Sequence, residues 1–317
     1  MALKEAINQT FVIEFILLGF PTQPEFQIVL FVCFLTIYTL TITGNILIIT
    51  VAIAETRLHM PMYFFLANFS FLEIWYTTST VPNMLLDFLA EKKTISSIGC
   101  FVQFYFFFSL GATECYLLTT MGFDRYLAIC KPLHYSTIMN PNICIILAVI
   151  CWASGFTSFV TPAILISRLH FCGPNVINHF ICDPVPLVEL SCEPSQVAQL
   201  SCYIITSAIL ASTFMFTVVS YGFILSTIFK HHRTSSMGKT VSTCASHLTV
   251  VILFYGSVMT AYVRPTSRHS VEWDKVITVF YSIITPLLNP FIYSLRNKEV
   301  IDALKRLFSK LRDPRNI

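Results

Sequence analysis

"TTMGFDRYLAICKPLHY" occupies residues 119–135. It closes a long apolar stretch and ends it on an acid and a base side by side, Asp124 and Arg125. A segment suited to hydrocarbon that finishes on a charged pair has reached water. Cys100 and Arg125 are 25 residues apart, about 37 Å of helix, which is enough to cross a bilayer. Taken alone, Asp124-Arg125 reads first as an anchor whose Arg snorkels to the headgroups. The competing reading is a switch, in which Arg125 leaves its acid for another group in a second state.

Composition extends the membrane reading to the whole chain. Of 317 residues, 55% are hydrophobic and 12% charged, against about 25% charged in a soluble domain. Mean hydropathy is +0.70. Seven stretches are long and apolar enough to span, approximately 26–53, 60–88, 98–124, 142–166, 197–229, 240–263 and 272–295. The alternation of a membrane barrel is absent. The expected fold is therefore all-α: a seven-transmembrane helix bundle over 26–296, an outer tail over 1–25, and a short amphipathic helix and tail over 297–317. The tail "NKEVIDALKRLFSKLRDP" (297–314) carries Val300, Ile301, Leu304, Leu307, Phe308 and Leu311 at helical spacing with Lys and Arg between. It reads as a helix lying on the inner membrane face, in contact with lipid. No Cys follows Cys244 to carry a palmitate. The N-terminus lacks a basic region followed by an apolar core and a cleavage site, and reads as a mature tail. A formal net charge of +3 with no long basic block offers nothing to nucleic acid.

Orientation follows from the basic residues. With the N-terminus outside, thirteen Lys and Arg fall on inner segments and seven on outer ones, together the 20 of the composition. Asn8-Gln9-Thr10 is a glycosylation sequon in the outer tail. Of 11 cysteines, Cys100, Cys172, Cys182 and Cys192 lie on the outer side, an even set that reads as two disulfides with three pairings open.

Glu73 and Glu114 are the acids deep within the spans. An ionisable group at that depth is costly and marks a functional site. Glu114 lies roughly 16 Å above Arg125 on the same helix face, and Glu73 about 20 Å from the start of its span at Met60. At matching depth on neighbouring helices, they could share a proton or hold a cation. The alternative is two protonated acids, each hydrogen-bonded separately. Asn45 and Asn289 add polar groups to spans one and seven. Pro290, after Asn289 and before Tyr293, kinks span seven, as a swinging joint or a static bend.

"MGFDRYLAIC" (121–130) resembles rhodopsin-like G-protein-coupled receptors, and specifically the olfactory receptors. So do "LHMPMYFFLANFSFLEIWY" (58–76), "HFICDPVPL" (179–187), "KTVSTCASHLTVVILFYGS" (239–257) and "PLLNPFIYSLRN" (286–297). The resemblance runs in order along essentially the whole chain. "SFLEIWYTT" and "GATECYLL" look like the tetrapod-type, class II branch, near its family 6. The family implies Cys100–Cys182 and Cys172–Cys192 disulfides. It implies a switch at the G-protein face built from Asp124, Arg125, Tyr126, Tyr221, His247, Asn289, Pro290 and Tyr293. It implies a cation site, with sodium the candidate ion, at Glu73 and Glu114 and no other cofactor or metal. Two departures stand out: Glu73 replaces a commoner Asp, and Gly122-Phe123 replaces Ala-Tyr before Asp124.

What such a receptor would bind is read from span three. Phe104, Phe107, Phe108, Gly111, Ala112 and Cys115 recur at helical spacing with no acid among them. An amine receptor would carry an Asp where Phe107 stands, and an opsin a Lys within 276–295, which has none. The expected ligand is a small, mostly apolar volatile molecule, oriented by Thr206, Tyr255 and Tyr262. Ile205 and Ile209 on span five and Val258 and Met259 on span six complete the expected set. The expected partner is a heterotrimeric G protein of the stimulatory, olfactory class that raises cAMP, and the expected location is the plasma membrane. The competing function is a secondary transporter relaying protons through Glu73 and Glu114, but no internal repeat halves the chain. No phosphate loop, zinc spacing or nucleophile elbow suggests an enzyme.

Overall fold

A computed structural model of the chain describes residues 12–20, 23–172, 174–192, 195–230, 237–262, 271–295 and 298–312. Helices dominate. In chain order they are α1 (Pro24–Ala54), α2 (Pro61–Thr78), α3 (Val81–Leu89), α4 (Ser97–Cys130), α5 (Pro132–Ile138), α6 (Pro141–Ser158), α7 (Val160–Ser167), α8 (Pro184–Glu189), α9 (Gln196–Lys230), α10 (Met237–Tyr262), α11 (Val271–Val279), α12 (Thr285–Leu295) and α13 (Lys298–Arg312). Six helical segments among the described residues are long and apolar enough to cross a membrane: Glu25–Ala54, Ser97–Cys130, Pro141–Ser167, Gln196–Lys230, Cys244–Tyr262 and Glu272–Tyr293.

The remaining expected span, 60–88, is divided into α2 and α3. The break has a local cause. Pro82 has no N–H to donate to the preceding turn, and its ring crowds the carbonyl four residues back. Ser79 and Thr80 turn their hydroxyls onto the carbonyls of Tyr76 and Thr77, satisfying groups that an unbroken helix would pair. The last span is also interrupted. Phe280–Ile284 form a π-helical turn between α11 and α12, and Thr285 Oγ1 donates to the Phe280 carbonyl at 3.1 Å. Such turns recur at functional sites.

α4 is the axis of the assembly. Its 34 residues reach about 51 Å, and it packs against α2, α6, α9 and α10. Ser96 caps its start by accepting from Gly99 N at 3.0 Å. Gly155 lets α6 press onto it: a Cβ there would lie 2.0 Å from Thr113 Oγ1 and 2.9 Å from the Ser109 carbonyl oxygen. Small residues at helix crossings serve this purpose in membranes. Large apolar side chains face outward along the helices, including Val29, Phe216 and Ile252, each more than half exposed.

The all-helical expectation needs one correction. At the Cys100 end, β1 (Glu14–Leu17), β2 (Thr94–Ser96) and β3 (Val176–Ile177) form a three-stranded sheet in the order β2-β1-β3. β1 is antiparallel to β2 and parallel to β3. Part of the expected tail is thus built into the fold. Phe15 and Leu17 are fully buried while Glu14 is exposed, and Phe15 meets Phe171 edge-on at 5.1 Å. Below this sheet Cys100 is bonded to Cys182 and Cys172 to Cys192, with Cα separations of 5.4 and 4.9 Å. Asn8 lies outside the described residues.

At the other end, α13 lies against the helices. Val300 and Ala303 are buried, Leu304 and Leu307 pack on the core, and Arg306 Nε donates to Glu55 Oε2 at 3.0 Å. The side chains of Phe308 and Leu311 lie outside the described set.

Candidate functional site

Three polar or hollow stations lie along α4. The first, toward Cys100, is a cavity of about 40 Å³. On the same measure one water needs about 10–15 Å³, so this chamber holds a few waters and must open to admit a larger ligand. Its walls are largely aromatic. Phe107 stacks on Tyr76 at 4.9 Å, and Phe108 meets Tyr262 edge-on at 5.8 Å. Its hydroxyl-bearing side chains are Tyr76, Thr206 and the pair Tyr262 and Tyr281, whose oxygens are 2.8 Å apart.

The second station is Glu73 on α2 and Glu114 on α4, both fully buried. Asn289 Nδ2 on α12 donates to Glu73 Oε1. Glu73 Oε2, both oxygens of Glu114, Asn289 Oδ1 and the Tyr293 hydroxyl have no hydrogen-bond partner among the described residues. Asn45 instead donates to the Thr41 carbonyl in its own helix at 3.0 Å. Unsatisfied buried oxygens are costly, and several of them together form a donor set suited to a hard cation. Sodium fits this set.

The third station is the end of α4. Arg125 pairs with Asp124 through Nε at 2.9 Å and through Nη2. Tyr135 on α5 donates to the other oxygen, Asp124 Oδ1, at 2.8 Å. Nearby, His247 on α10 bridges two helices. Its Nε2 is 3.1 Å from the Leu118 carbonyl oxygen and its Nδ1 2.7 Å from the Tyr221 hydroxyl. A carbonyl only accepts, so the neutral ring carries its proton on Nε2 and receives Tyr221 O–H at Nδ1. Tyr126 packs on Phe223 at 5.8 Å, and Tyr293 meets Phe69 edge-on at 6.2 Å.

Residues 33–311 match the olfactory receptor family. The chain is 51% identical over 297 residues to human Olfactory receptor 11H6, covering 94% of this chain and 90% of that one. It is 48% identical to human Olfactory receptor 6N1 over 96% of this chain and 97% of that one. Human Olfactory receptor 5A1 is 46% identical over 98% of both. The chain belongs to the olfactory receptor family. It is a receptor, not an enzyme.

In this olfactory receptor the chamber gathers most of the residues expected from sequence. Phe107, Phe108, Gly111, Ala112 and Cys115 line it from α4, Thr206 and Ile209 from α9, and Val258 and Tyr262 from α10. Four others do not line it. Phe104 sits beside Phe108 at 4.9 Å, while Ile205 and Met259 pack half-buried on the core. Tyr255 donates to the Cys115 carbonyl at 3.4 Å, below the chamber wall. Sequence reasoning missed Tyr76, Phe159, Leu210, Phe254 and Tyr281. Tyr76 was accessible to it: three residues after Glu73, it lies on the same helix face.

A buried polar group caps the Cys100 end. Asp183 caps α8 by accepting from Val185 N at 3.0 Å. Burial pushes its carboxyl up to about 6, with that backbone bond opposing. Burial also lowers the His179 imidazole to about 3, helped by the Lys275 charge. Lys275 Nζ donates to Asn178 Oδ1 at 2.9 Å and Glu272 Oε1 at 3.3 Å. The bond to Asn178 ties the loop between α7 and α9 to α11, and the bond to Glu272 lies within α11 itself. Among the described residues no group of three or more His, Cys, Asp or Glu is arranged to hold a metal ion.

Proposed function

We propose that this olfactory receptor is a seven-transmembrane bundle in the plasma membrane, with its N-terminus and the Cys100 end outside and α13 on the inner face. It binds small, mostly apolar volatile ligands in the tyrosine-edged chamber and activates a G protein of the stimulatory, olfactory class, raising cAMP. One observation carries this reading. A single helix, α4, forms a wall of the chamber at one end and presents Asp124-Arg125 at the other. A ligand larger than the 40 Å³ cavity must push its walls apart, and Phe107, Phe108, Gly111, Ala112 and Cys115 among those walls belong to α4 itself. Leu133, 90% exposed beside the Arg125 turn, offers an apolar contact to a cytoplasmic partner. Alternate ligand states of this kind shift populations only as far as their differential affinity allows.

A panel of volatile ligands applied to expressing cells with a cAMP reporter tests this. At least one apolar ligand with a hydrogen-bond acceptor is expected to raise cAMP. A fall in cAMP at confirmed surface expression would contradict the coupling.

We also propose that Glu73 and Glu114 share one sodium ion in the resting state, with Asn289 Oδ1 completing the donor set. Removing either acid destroys the same site. Glu73→Gln, Glu114→Gln and the double variant are therefore expected to lose similar thermal stability. The coupling energy in that cycle falls in the usual range of about 0.5–3 kcal/mol. Sodium, but not a bulky organic cation, stabilises the wild type alone. Additive losses with no sodium effect would show that the acids act separately.

A further inference from the structure

A groove of about 540 Å³ opens beside the break between α2 and α3, a volume in the range of small-molecule sites. Ile74 and Trp75 line it from α2, Asn83 from α3, Ile95 from β2, and Val102 and Phe106 from α4. Trp75 and Val102 are 46% and 48% exposed, so the groove faces the lipid around the bundle. Its lining holds no Asp, Glu, Lys or Arg, which leaves a charged headgroup without a partner. Its walls are stiff. The rings of Trp75 and Phe106 stand 6.3 Å apart and 35° from parallel, and Ile74, Ile95 and Val102 are branched at Cβ and hold one rotamer. Such walls favour a flat, rigid guest, which loses less freedom on binding than an acyl chain does. From Gly99 to Phe106 the groove runs about 10 Å along α4, comparable with a fused sterol ring system.

The polar side chains of the lining single out one residue. Thr78 Oγ1 donates to the Ile74 carbonyl at 2.6 Å, and Ser79 Oγ to the Tyr76 carbonyl at 2.7 Å. Gln103 is used at both ends, by Cys182 N and by the Ser79 carbonyl. Asn83 differs: its Nδ2 is buried and has no hydrogen-bond partner among the described residues. An amide donor left so is costly. A half-turn of the amide exchanges its N–H groups and its oxygen, so a hydroxyl, which both donates and accepts, pairs with it in either orientation. We propose that this groove binds one membrane sterol, with the ring system between Trp75, Val102 and Phe106 and the hydroxyl on the Asn83 amide. The sterol then bridges α2, α3 and α4 at the break, beside the Gln103 junction, and stabilises it. Its leaflet follows from the orientation proposed above; the chemistry of the site does not depend on it.

The test uses purified full-length receptor in phosphatidylcholine nanodiscs carrying a photoreactive cholesterol. Labelled residues are mapped by peptide mass spectrometry, and competition is measured with cholesterol and with its mirror image, which changes bilayer order equally but has the wrong hand for a built site. Labelling is expected on α2 and α4 around Trp75, Val102 and Phe106, displaced by cholesterol and not by the mirror image, and cholesterol should raise the melting temperature. Asn83→Leu should weaken cholesterol competition about fivefold, the share of one hydrogen bond. Val102→Trp, at a lipid-facing position, fills the groove and should remove the labelling. Labelling spread evenly over the outward faces, or equal displacement by the two mirror forms, would overturn the site in the wild type alone, whatever the variants do. Unchanged competition in a folded Asn83→Leu receptor would overturn the hydroxyl contact. No readout involves an odorant or a G protein, so a failure here is separate from a failure of the signalling reading.

Discussion

Arg125→Ala should leave the receptor at the cell surface and reduce its ligand-driven cAMP rise to the level of cells lacking it. The guanidinium is bound to the acid next to it in the chain, and Asp124 is held in turn by Tyr135. Removing Arg125 takes no apolar contact out of the core and leaves Asp124 with its Tyr135 bond; the unpaired buried carboxylate costs stability, so signalling is compared at matched surface level. On the reading proposed above, what is lost is the guanidinium that exchanges its partner when the helices move. An anchoring Arg would behave differently, because its loss would lower surface level and signalling in proportion. Surface immunostaining and a cAMP reporter on the same cells separate the two outcomes. Full signalling at equal surface level would remove Arg125 from the switch.

The second large effect is expected at Cys100. Cys100–Cys182 joins the start of α4 to the loop that carries His179 and Asp183. Gln103 strengthens the same junction, with its Oε1 accepting from Cys182 N at 3.1 Å and its Nε2 donating to the Ser79 carbonyl at 3.2 Å. A native disulfide in a small secreted domain typically contributes about 2–5 kcal/mol, and here it fixes the loop to the start of α4. Cys100→Ser should therefore be retained inside the cell, with little mature protein at the surface. Cys172→Ser should be milder, since it opens a bridge between residues 20 apart in sequence that lies within the loop. Peptide mapping of the unreduced receptor should recover both bridges as paired. Surface levels near wild type for Cys100→Ser would show that the junction holds without it.

Sequence patterns were most informative where polar residues interrupt apolar helices. Asp124-Arg125, Glu73, Glu114 and Asn289 stand out because hydrocarbon tolerates few such groups, and the structure places Asn289 on Glu73. The chamber was legible on α4, where Gly111, Ala112 and Cys115 thin one face among phenylalanines. It was less legible elsewhere. α6 and α9 are apolar on every side, so no pattern says which face turns inward, and Phe159 and Leu210 were missed for that reason. Tyr281 lies in the π-helical turn, which rotates residues away from ordinary helical spacing. The strand at Glu14–Leu17 alternates over only four residues, too few to distinguish it from a tail. The division of the second span could have been read from Pro82. The bridge from His247 to Leu118 and Tyr221 connects residues 129 and 26 positions apart, and no local pattern encodes it.

The most direct measurement of receptor function is nucleotide exchange on a purified stimulatory G protein, catalysed by purified receptor in nanodiscs. It should be run with and without a ligand found in the cAMP screen, for wild type and Arg125→Ala in parallel. The predicted result is ligand-dependent acceleration by the wild type, none by the variant, and none on an inhibitory G protein. Ligand-dependent exchange by Arg125→Ala at the wild-type rate, or a ligand that binds the wild type yet accelerates no exchange on the stimulatory protein, would contradict it.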